Sequence, residues 1–331
     1  MNCRALVFCP PNLQKNVFPP EVLEELGQLV HCSWPVYDPG QWRDAKCALE
    51  SADFIFSTWG MPLLDEEFLA AAPNLKAVFY AAGSVKGFAT EAGWKRGILI
   101  SSAWVANSIP VAEYTLGTIL LSLKRFWHSS RAMRLPQEER VLEKIPGAYR
   151  SKVGLVSLGA IGRATLRFLA PFDVTVLAYE PWLTPQQAAE LNVELVSLEE
   201  MFRECDVISL HAPSLPETEK MITGKLIASM KEGATLINTS RGAIIAEEEM
   251  IEVLSRRPDL SAILDVTHPE PPAPHSPLRN LPNVLLTPHI AGSADSECAR
   301  MGKWMVDELR RYLEGAPLQY LVEKEALARM A

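Results

Sequence analysis

The second half of the chain repeats one short pattern, an apolar run of strand length followed by a helical stretch. From Lys152 onward these runs are KVGLVSL, VTVLAYE, DVISLHAP, ATLINTS, SAILDV and NVLLTPH. Apolar strands joined by helices indicate a parallel sheet covered on both faces. A less regular version runs from Arg4 to about Ala103, in RALVFC, FIFSTW, LKAVFYAA and ILISSA. The sequence therefore predicts an α/β fold in both parts of the chain.

A long apolar helix, NSIPVAEYTLGTILLSLKRFW, begins near Asn107 and separates the two patterns. A chain of 331 residues with 48% hydrophobic residues is long enough for two cores. We expect one domain to comprise residues 1–103 plus 293–331 and the other residues 104–292. The last helical stretch, from Ser293 to about Glu314, is predicted to pack back on the first domain. Its apolar face carries Trp304, Met305, Leu309 and Leu313.

Composition excludes several classes of protein. A formal net charge of −8 argues against a nucleic-acid surface, which needs clustered lysine and arginine. The first apolar run is too short for a signal peptide, and no run approaches membrane-spanning length, so we expect a cytoplasmic protein without a membrane partner. The cysteines lack a C-x-x-C pair and are expected to be reduced thiols. They are Cys3, Cys9, Cys32, Cys47, Cys205 and Cys298.

The passage VGLVSLGAIGRATLRFL resembles a dinucleotide-binding turn between a strand and a helix. Gly159 is placed to let the backbone approach a pyrophosphate, and Gly162 to let helix and strand pack closely. Ser157 stands where the first glycine of such a fingerprint is usual. The N–H groups of Ala160 and Ile161 would face the anionic phosphates at the helix N-terminus. The alternative is an ordinary strand-to-helix turn.

Glu180 ends the next strand, eighteen residues after Gly162. An acidic side chain there is expected to accept hydrogen bonds from the adenosine ribose hydroxyls. Pro181 and Trp182 follow it rather than an arginine, and the carboxylate would repel a 2′-phosphate. We therefore predict NAD in preference to NADP as the cofactor, against the alternative that Glu180 is a solvated strand end.

Polar side chains follow three of the later strands at the point where each strand ends. The C-terminal ends of strands in an open parallel sheet face the ligand crevice, so these side chains are expected to converge. They are Thr239, Ser240, Arg241 and Gly242 after the first strand, Asp265 and Glu270 after the second, and His289 after the third.

Three of these residues form a candidate catalytic set for the reduction of a 2-oxo acid. Arg241 offers a planar, permanently charged partner for the substrate carboxylate. His289 can supply the proton that the carbonyl oxygen needs as a hydride arrives at C2. Glu270 can orient the imidazole and favour its protonated form. Singly, such residues are more often surface ion pairs or structural residues, but together they favour catalysis.

The remaining polar positions receive supporting roles. Asp265 is expected to face the nicotinamide carboxamide. The tripeptide His211, Ala212 and Pro213 is expected to line the cofactor site without doing chemistry. The carboxylates within residues 247–250 are interpreted as a solvated first helical turn. No spacing of histidine and cysteine resembles a zinc site, so no metal is predicted.

Six motifs also carry a resemblance that spans nearly the whole chain. They are NSIPVAEYTLGTIL, SLGAIGR, HAPSLPETEKMI, INTSRGAII, LDVTHPEPP and LLTPHIAGS. Their order and spacing resemble the D-isomer-specific 2-hydroxyacid dehydrogenases, which include glyoxylate and hydroxypyruvate reductases, D-lactate dehydrogenase and D-3-phosphoglycerate dehydrogenase. The resemblance implies two doubly wound parallel-sheet domains, one flavodoxin-like and one an NAD-binding Rossmann domain, with the active site in the cleft between them.

The resemblance also implies roles for particular residues. It implies Arg241, Glu270 and His289 as the catalytic three. The segment AAGSVKGF matches the family's substrate loop, which implies that N–H groups around Gly83, Ser84 and Val85 bind the substrate carboxylate. The implied contacts on the nicotinamide side are Ala212, Thr239, Ser240, Asp265 and the run from His289 to Gly292. A homodimer through the NAD-binding domains is implied as well.

The sequence departs from the family pattern at Ser157, at Glu180, where aspartate is commoner, and in VKGF after the substrate loop. The chain ends near residue 331, so we expect no appended regulatory domain and no serine-type feedback. The loop STWGMP and Tyr80 are expected to line the substituent pocket, which favours an uncharged substituent.

Two alternatives remain at this point. An NAD-sensing, co-repressor-like binding protein shares the fold and the catalytic residues, so Arg241, Glu270 and His289 do not separate it from an enzyme. A D-3-phosphoglycerate dehydrogenase would need extra cations near the substrate phosphate, where only Lys86 is obviously placed.

Overall fold

The computed structural model describes residues 3–32, 36–133 and 145–329. The chain divides into two compact units, the first formed by residues 1–108 with 293–330 and the second by residues 109–292. Residues 1, 2, 330 and 331, which the expected first domain included, lie outside the described part.

The first unit contains a five-stranded parallel sheet. Its strands are β1 (Arg4–Phe8), β2 (His31–Cys32), β3 (Phe54–Ser57), β4 (Ala77–Tyr80) and β5 (Leu99–Ser102). They lie in the order β2-β1-β3-β4-β5, which is the flavodoxin-like order. Successive side chains point to opposite faces of a strand, and both faces are buried here: Val7 packs in one cluster and Leu6 in another. Burial of both faces explains why β1, β3 and β4 are mostly apolar along their whole length.

The helices of the first part of the chain lie between and after these strands. They are α1 (Gln14–Val17), α2 (Pro20–Leu29), α3 (Lys46–Leu49), α4 (Glu66–Ala71), α5 (Glu91–Lys95) and α6 (Trp104–Leu123). The boundary between the two units falls inside α6, after Ser108. Residues 109–123 of this helix therefore belong to the second unit.

The second unit contains a seven-stranded parallel sheet. Its strands are β6 (Ser151–Val156), β7 (Val174–Tyr179), β8 (Glu194–Leu195), β9 (Val207–Leu210), β10 (Thr235–Asn238), β11 (Ser261–Leu264) and β12 (Val284–Leu286). Their order is β12-β11-β10-β9-β6-β7-β8, and the direction of winding reverses between β6 and β9. Reversal points of this kind are where open α/β sheets bind ligands, at the C-terminal ends of the strands.

The expected doubly wound α/β class is confirmed by these two sheets. The sequence did not predict β2 and β8, because each is a two-residue edge strand too short to leave a pattern. The remaining helices of the second unit are α7 (Phe126–Ala132), α8 (Ala160–Leu169), α9 (Pro185–Glu190), α10 (Leu198–Glu204), α11 (Gly224–Ala228) and α12 (Glu247–Arg256).

The last helix, α13 (Cys298–Leu313), packs on the sheet of the first unit. Met305 and Leu309 are fully buried there, as the apolar face of the segment predicts. Trp304 and Leu313 on the same helix are only partly buried. Gly302 allows the close approach to α1, since a Cβ at that position would lie 2.0 Å from the carbonyl oxygen of Val17.

Within the described ranges, no helix is both long enough and apolar enough to cross a membrane. All six cysteines of the chain are described, and each is a free thiol. The described part also holds no group of three or more histidine, cysteine, aspartate or glutamate side chains that could bind a metal ion.

Candidate active site

The loop between β6 and α8 contains two glycines with different surroundings, Gly159 facing empty space and Gly162 packed against the backbone. No heavy atom lies within 4 Å of the position that a Cβ on Gly159 would occupy, so the space in front of it is open. A Cβ on Gly162 would lie 2.2 Å from the carbonyl oxygen of Ser157, so only glycine permits this approach of helix to loop. Ser157 has a φ of +76°, in the left-handed region that favours glycine.

Glu180 lies beside this loop and is held by three donors of the protein. Its Oε2 accepts hydrogen bonds from the Ser157 hydroxyl at 3.1 Å and from the Leu158 N–H at 2.8 Å. Its Oε1 accepts one from the Trp182 N–H at 3.3 Å. The carboxylate is thus fixed at the end of β7 and remains partly exposed. Its contact with ribose hydroxyls stays a prediction.

His211 follows β9, next to the point where the winding reverses. Its backbone N–H donates to the carbonyl of Val156 at 2.8 Å, which ties it to the end of β6. The side chain is buried, and among the described residues neither ring nitrogen has a hydrogen-bond partner. Burial lowers the pKa of His211 to about 4, so the ring is neutral at physiological pH. Buried polar atoms are normally satisfied, so these two nitrogens are candidates for a ligand's polar groups.

These observations fit a bound dinucleotide. The open face at Gly159 leaves room for a pyrophosphate at the N-terminus of the ten-residue helix α8, where backbone N–H groups are directed outward. The unsatisfied imidazole of His211 lies at the neighbouring strand end. Ala212 and Thr239, at the adjacent strand ends, are buried.

Arg241 follows β10 in a turn that Asn238 organises. The Asn238 Oδ1 accepts from the N–H of Ser240 at 3.0 Å and from its hydroxyl at 2.8 Å, and Nδ2 donates to the carbonyl of Arg241 at 3.0 Å. The guanidinium donates to the Ser240 carbonyl at 2.7 Å. Burial lowers the pKa of Arg241 from its ordinary value, and the negative charge of Glu270 opposes that shift.

Asn238 is a site residue that the strand-end pattern did not predict. Its signal was an amide residue at the end of an otherwise apolar strand, immediately before the polar turn. A fully buried amide needs partners, and here its partners are the turn itself.

Gly242 brings this turn against the segment that carries Glu270. A Cβ at Gly242 would lie 2.0 Å from the carbonyl carbon of Thr267 and 2.6 Å from the nitrogen of His268. On the other side, the Glu247 carboxylate accepts a hydrogen bond from the His268 N–H at 3.1 Å. Burial raises the pKa of Glu247. Glu247 lies in the first turn of α12, as expected, and is only partly buried, but its carboxylate also anchors the 267–270 segment.

His289 and Glu270 form a direct pair, with 2.6 Å between Nδ1 and Oε1. Both side chains are partly open to solvent, 48% exposed for His289 and 39% for Glu270. His289 has a φ of +55°, in the left-handed region. Glu270 thus contacts the imidazole directly, and its negative charge raises the pKa of Arg241 against the effect of burial.

Asp265 is buried behind this pair and holds the turn that carries His289. Oδ1 accepts from the Thr287 hydroxyl at 2.5 Å and from the Ile290 N–H at 2.9 Å, and Oδ2 accepts from the Ala291 N–H at 2.8 Å. The main-chain carbonyl of Asp265 accepts from the His289 N–H at 3.0 Å. Both carboxylate oxygens are thus engaged by the protein, and the expected contact with a carboxamide stays a prediction.

The loop after β4 in the first unit has three consecutive N–H groups available. Across the described ranges, no hydrogen bond uses the N–H of Gly83, Ser84 or Val85 as a donor. The Ser102 hydroxyl contacts the carbonyls of Ala82, at 2.9 Å, and Gly83, at 2.6 Å, which fixes the loop to β5. Consecutive free N–H groups form a concavity suited to an anion.

Tyr80 does not belong to this loop's surface. Its ring lies 4.7 Å from that of Phe88, it is 5% exposed, and burial raises its pKa to about 12. The expectation that it lines a substituent pocket was wrong, because it is part of the core. Trp59, in the loop after β3, is 36% exposed.

The seven-stranded sheet has the strand order of a dinucleotide-binding domain, and its C-terminal edge carries an arginine and a histidine–carboxylate pair. These features define a class of two-unit, nucleotide-binding α/β proteins. The model of the D-isomer specific 2-hydroxyacid dehydrogenase NAD binding domain matches residues 116–291. This chain belongs to that family, as its motifs predicted.

Relatives of two named activities are similar to the chain. It is 31% identical over 297 residues to D-3-phosphoglycerate dehydrogenase of Mycobacterium bovis, covering 89% of this chain and 55% of that protein. It is 32% identical over 271 residues to glyoxylate reductase of Thermofilum pendens, covering 80% and 79%. The chain thus spans about half the length of the phosphoglycerate dehydrogenases it matches.

A solved structure agrees with the whole fold. The TT0316 protein of Thermus thermophilus is 29% identical, with a TM-score of 0.72, covering 97% of this chain and 100% of that one.

Proposed function

We propose that this protein is an NAD-dependent D-2-hydroxyacid dehydrogenase that reduces a small 2-oxo acid such as glyoxylate or hydroxypyruvate. The observation that carries the proposal is the pair of His289 and Glu270, in which Nδ1 and Oε1 are 2.6 Å apart. Arg241 lies in the same unit, and the negative charge of Glu270 raises its pKa. A proton donor and a carboxylate-binding cation are the two groups that reduction of a 2-oxo acid requires.

The roles follow from the atoms that are already engaged. Nδ1 of His289 is occupied by Glu270, so Nε2 is the nitrogen left to give a proton to the substrate carbonyl oxygen. Glu270 stabilises the imidazolium before transfer and orients the ring. Arg241 binds the substrate carboxylate, since its guanidinium stays charged at neutral pH. When bound, the reduced nicotinamide supplies the hydride to C2.

The proposed cofactor site uses the loop after β6. Gly159, Ala160 and Ile161 would bind the pyrophosphate and Glu180 the ribose hydroxyls. Because Glu180 is a fixed carboxylate, a 2′-phosphate would meet repulsion there, so we propose NAD over NADP. In the first unit, the free N–H groups of Gly83, Ser84 and Val85 are proposed to bind a carboxylate.

The test follows NADH oxidation against a panel of 2-oxo acids. We expect turnover with at least one acid, and a loss of about 1,000-fold in kcat/KM for Arg241→Ala and for His289→Gln, since each removes a group used in the transition state. Arg256→Ala is the matched control, because among the residues that the structure describes Arg256 pairs only with the exposed Glu252 on α12. NADH binding without turnover on any acid would favour the co-repressor-like alternative.

Oxidation of D-3-phosphoglycerate is the second candidate, supported by the 31% identity to the named dehydrogenases. It requires a phosphate-binding cation beyond Arg241, and Lys86 is exposed near the substrate loop. Phosphohydroxypyruvate therefore belongs in the panel. A preference for it that Lys86→Met abolishes would establish this alternative.

We propose a homodimer through the second unit. Exposed apolar side chains concentrate in and after α6 and α7, and such patches mark association sites. They are Leu121, Phe126, Met133, Ile145 and Tyr149. Light scattering at micromolar concentration should give about twice the chain mass of 36.7 kDa, and a mass near one chain would contradict the proposal.

We also propose that the protein works in the cytoplasm. Its six free thiols suit a reducing compartment, where disulfides rarely form. Cell fractionation that places the protein outside the cytoplasm would contradict this proposal.

A further inference from the structure

Tyr114 lies on α6, a helix that contributes none of the candidate catalytic residues. Its hydroxyl is 3.1 Å from the hydroxyl of Thr287, and Thr287 in turn donates to Oδ1 of Asp265 at 2.5 Å. Asp265 holds the backbone of the next residues through the N–H groups of Ile290 and Ala291. A continuous chain of hydrogen bonds therefore runs from α6 to the turn that carries His289.

We propose that Tyr114 is a positioning residue that fixes His289 through Thr287 and Asp265. The proposal rests on the proposed function, in which His289 is the proton donor. Tyr114 is assigned no contact with the substrate or the cofactor.

The direction of the hydrogen bonds supports this role. A carboxylate has no proton to give, so the single hydroxyl proton of Thr287 goes to Asp265. Thr287 can then only accept from Tyr114, and the tyrosine hydroxyl must be the donor. Each hydroxyl thus has one orientation, which fixes the rotamer of Thr287 and the place of the Asp265 carboxylate.

The turn needs such support because its backbone is strained. His289 has a φ of +55°, and a non-glycine residue in the left-handed region persists only when its surroundings hold it there. Asp265 supplies these restraints on both sides of the residue, accepting the His289 N–H with its carbonyl and the next two N–H groups with its carboxylate. A loosened carboxylate would let the imidazole move relative to Glu270.

Packing alone does not account for the Tyr114 hydroxyl. The side chain is half-buried, and burial raises its pKa. A phenylalanine would fill the same space without the need to satisfy a polar atom, so the hydroxyl is present for its hydrogen bond.

The test compares Tyr114→Phe with Thr118→Val in the full-length protein. Thr118 is the matched control, because it is buried one turn further along α6 and its hydroxyl donates to the carbonyl of Tyr114 at 2.8 Å. We expect Tyr114→Phe to lower kcat by about 3- to 10-fold, the effect of losing one net hydrogen bond, with KM and NADH affinity unchanged. Thr118→Val should leave kcat within about twofold.

A double-mutant cycle tests whether Tyr114 acts on His289 through Thr287. Thr287→Val should lower kcat more than Tyr114→Phe, and the double variant should be no worse than Thr287→Val alone, because both substitutions cut one chain. Thr287→Ser, which keeps the hydroxyl, should restore most of the activity. Additive losses, or an equal fall in the Thr118→Val control, would overturn the proposal.

Hydrogen exchange of the 287–291 peptide separates this inference from the function it rests on. Tyr114→Phe should speed exchange at Ile290 and Ala291 whether or not a substrate is found. Unchanged exchange would overturn the positioning role, whereas faster exchange in a protein without turnover would overturn only the dehydrogenase function.

Discussion

Two buried carboxylates, one in each unit, accept hydrogen bonds from the same kinds of donor, and Glu308 also lies 3.7 Å from the Arg311 guanidinium. Asp265 and Glu308 are each 1% exposed, and each accepts hydrogen bonds from one side-chain hydroxyl and two backbone N–H groups. For Asp265 these donors are Thr287, Ile290 and Ala291. For Glu308 they are Ser101, Gln319 and Tyr320.

The two carboxylates differ in what they hold. Asp265 fixes the turn with His289, whereas Glu308, on α13, fixes the C-terminal segment that pairs with β5 through Ser101 and Leu321. Glu180 repeats the pattern a third time, with one hydroxyl and two N–H groups, but it stays partly exposed. Burial of a carboxylate therefore does not by itself indicate a functional role. The role depends on which segment of the chain the carboxylate holds.

Of the substitutions that test this comparison, Asp265→Asn is expected to have the largest effect. Asp265→Asn places an amide NH2 where donors converge, so at least one hydrogen bond is lost and the His289 turn shifts. We expect kcat/KM to fall by about 100-fold, as for a misplaced catalytic group, and the free energy of unfolding to fall by about 2–4 kcal/mol. Steady-state kinetics and urea denaturation measure the two. Wild-type kinetics in a destabilised variant would show that Asp265 is structural only.

The next effect concerns His211, a buried side chain whose ring nitrogens, unlike the two carboxylates, have no hydrogen-bond partner among the described residues. Burial lowers the pKa of His211 to about 4 in the folded protein, whereas its ordinary value of 6.5 applies in the unfolded chain. The unfolded chain therefore binds more protons than the folded protein between these two pH values. Stability should therefore be full above pH 6.5 and fall as the pH is lowered towards 4, by about 3 kcal/mol from this residue. Denaturation of wild type and His211→Gln across this range isolates the contribution. Parallel curves for the two proteins would refute it.

Glu308→Gln is the matched partner of the Asp265 variant and should affect stability alone. We expect the free energy of unfolding to fall by about 2 kcal/mol, because the amide NH2 cannot accept from the backbone N–H that faced the oxygen it replaces, so at least one hydrogen bond is lost. The kcat value should stay within about twofold, since the segment that Glu308 holds carries no proposed catalytic group. A loss of activity comparable to that of Asp265→Asn would remove the distinction between the two sites.

The smallest effect concerns Ser157, which supports Glu180 from a left-handed backbone. Ser157→Ala removes the hydroxyl and keeps the strain, whereas Ser157→Gly removes both. We expect the glycine variant to be about 1 kcal/mol more stable than the alanine variant, measured by thermal denaturation. NADH affinity should fall equally in both. Equal stability of the two variants would mean that the positive φ carries no penalty.

Much of this architecture could be predicted from local sequence. The apolar runs fix the strands, since a strand buried on both faces must be apolar throughout, and helices between them force parallel pairing. Because the C-terminal ends of parallel strands share an edge, Arg241, Glu270 and His289 could be assigned to one region. Gly159 and Gly162 could be assigned from the separate steric needs of phosphate approach and helix packing.

The sequence alone could not identify the residues that hold these groups in place. Tyr114 and Thr287 are 173 residues apart, and Gly242 matters only because Thr267 packs on it. Asn238 and Glu247 show no local sign that their partners are the backbones of functional turns. Local sequence determined which elements form and which strand ends are polar. Only the tertiary structure decided where each side chain points and which donors it meets, because hydrogen bonds are short and directional and their partners come from distant parts of the chain.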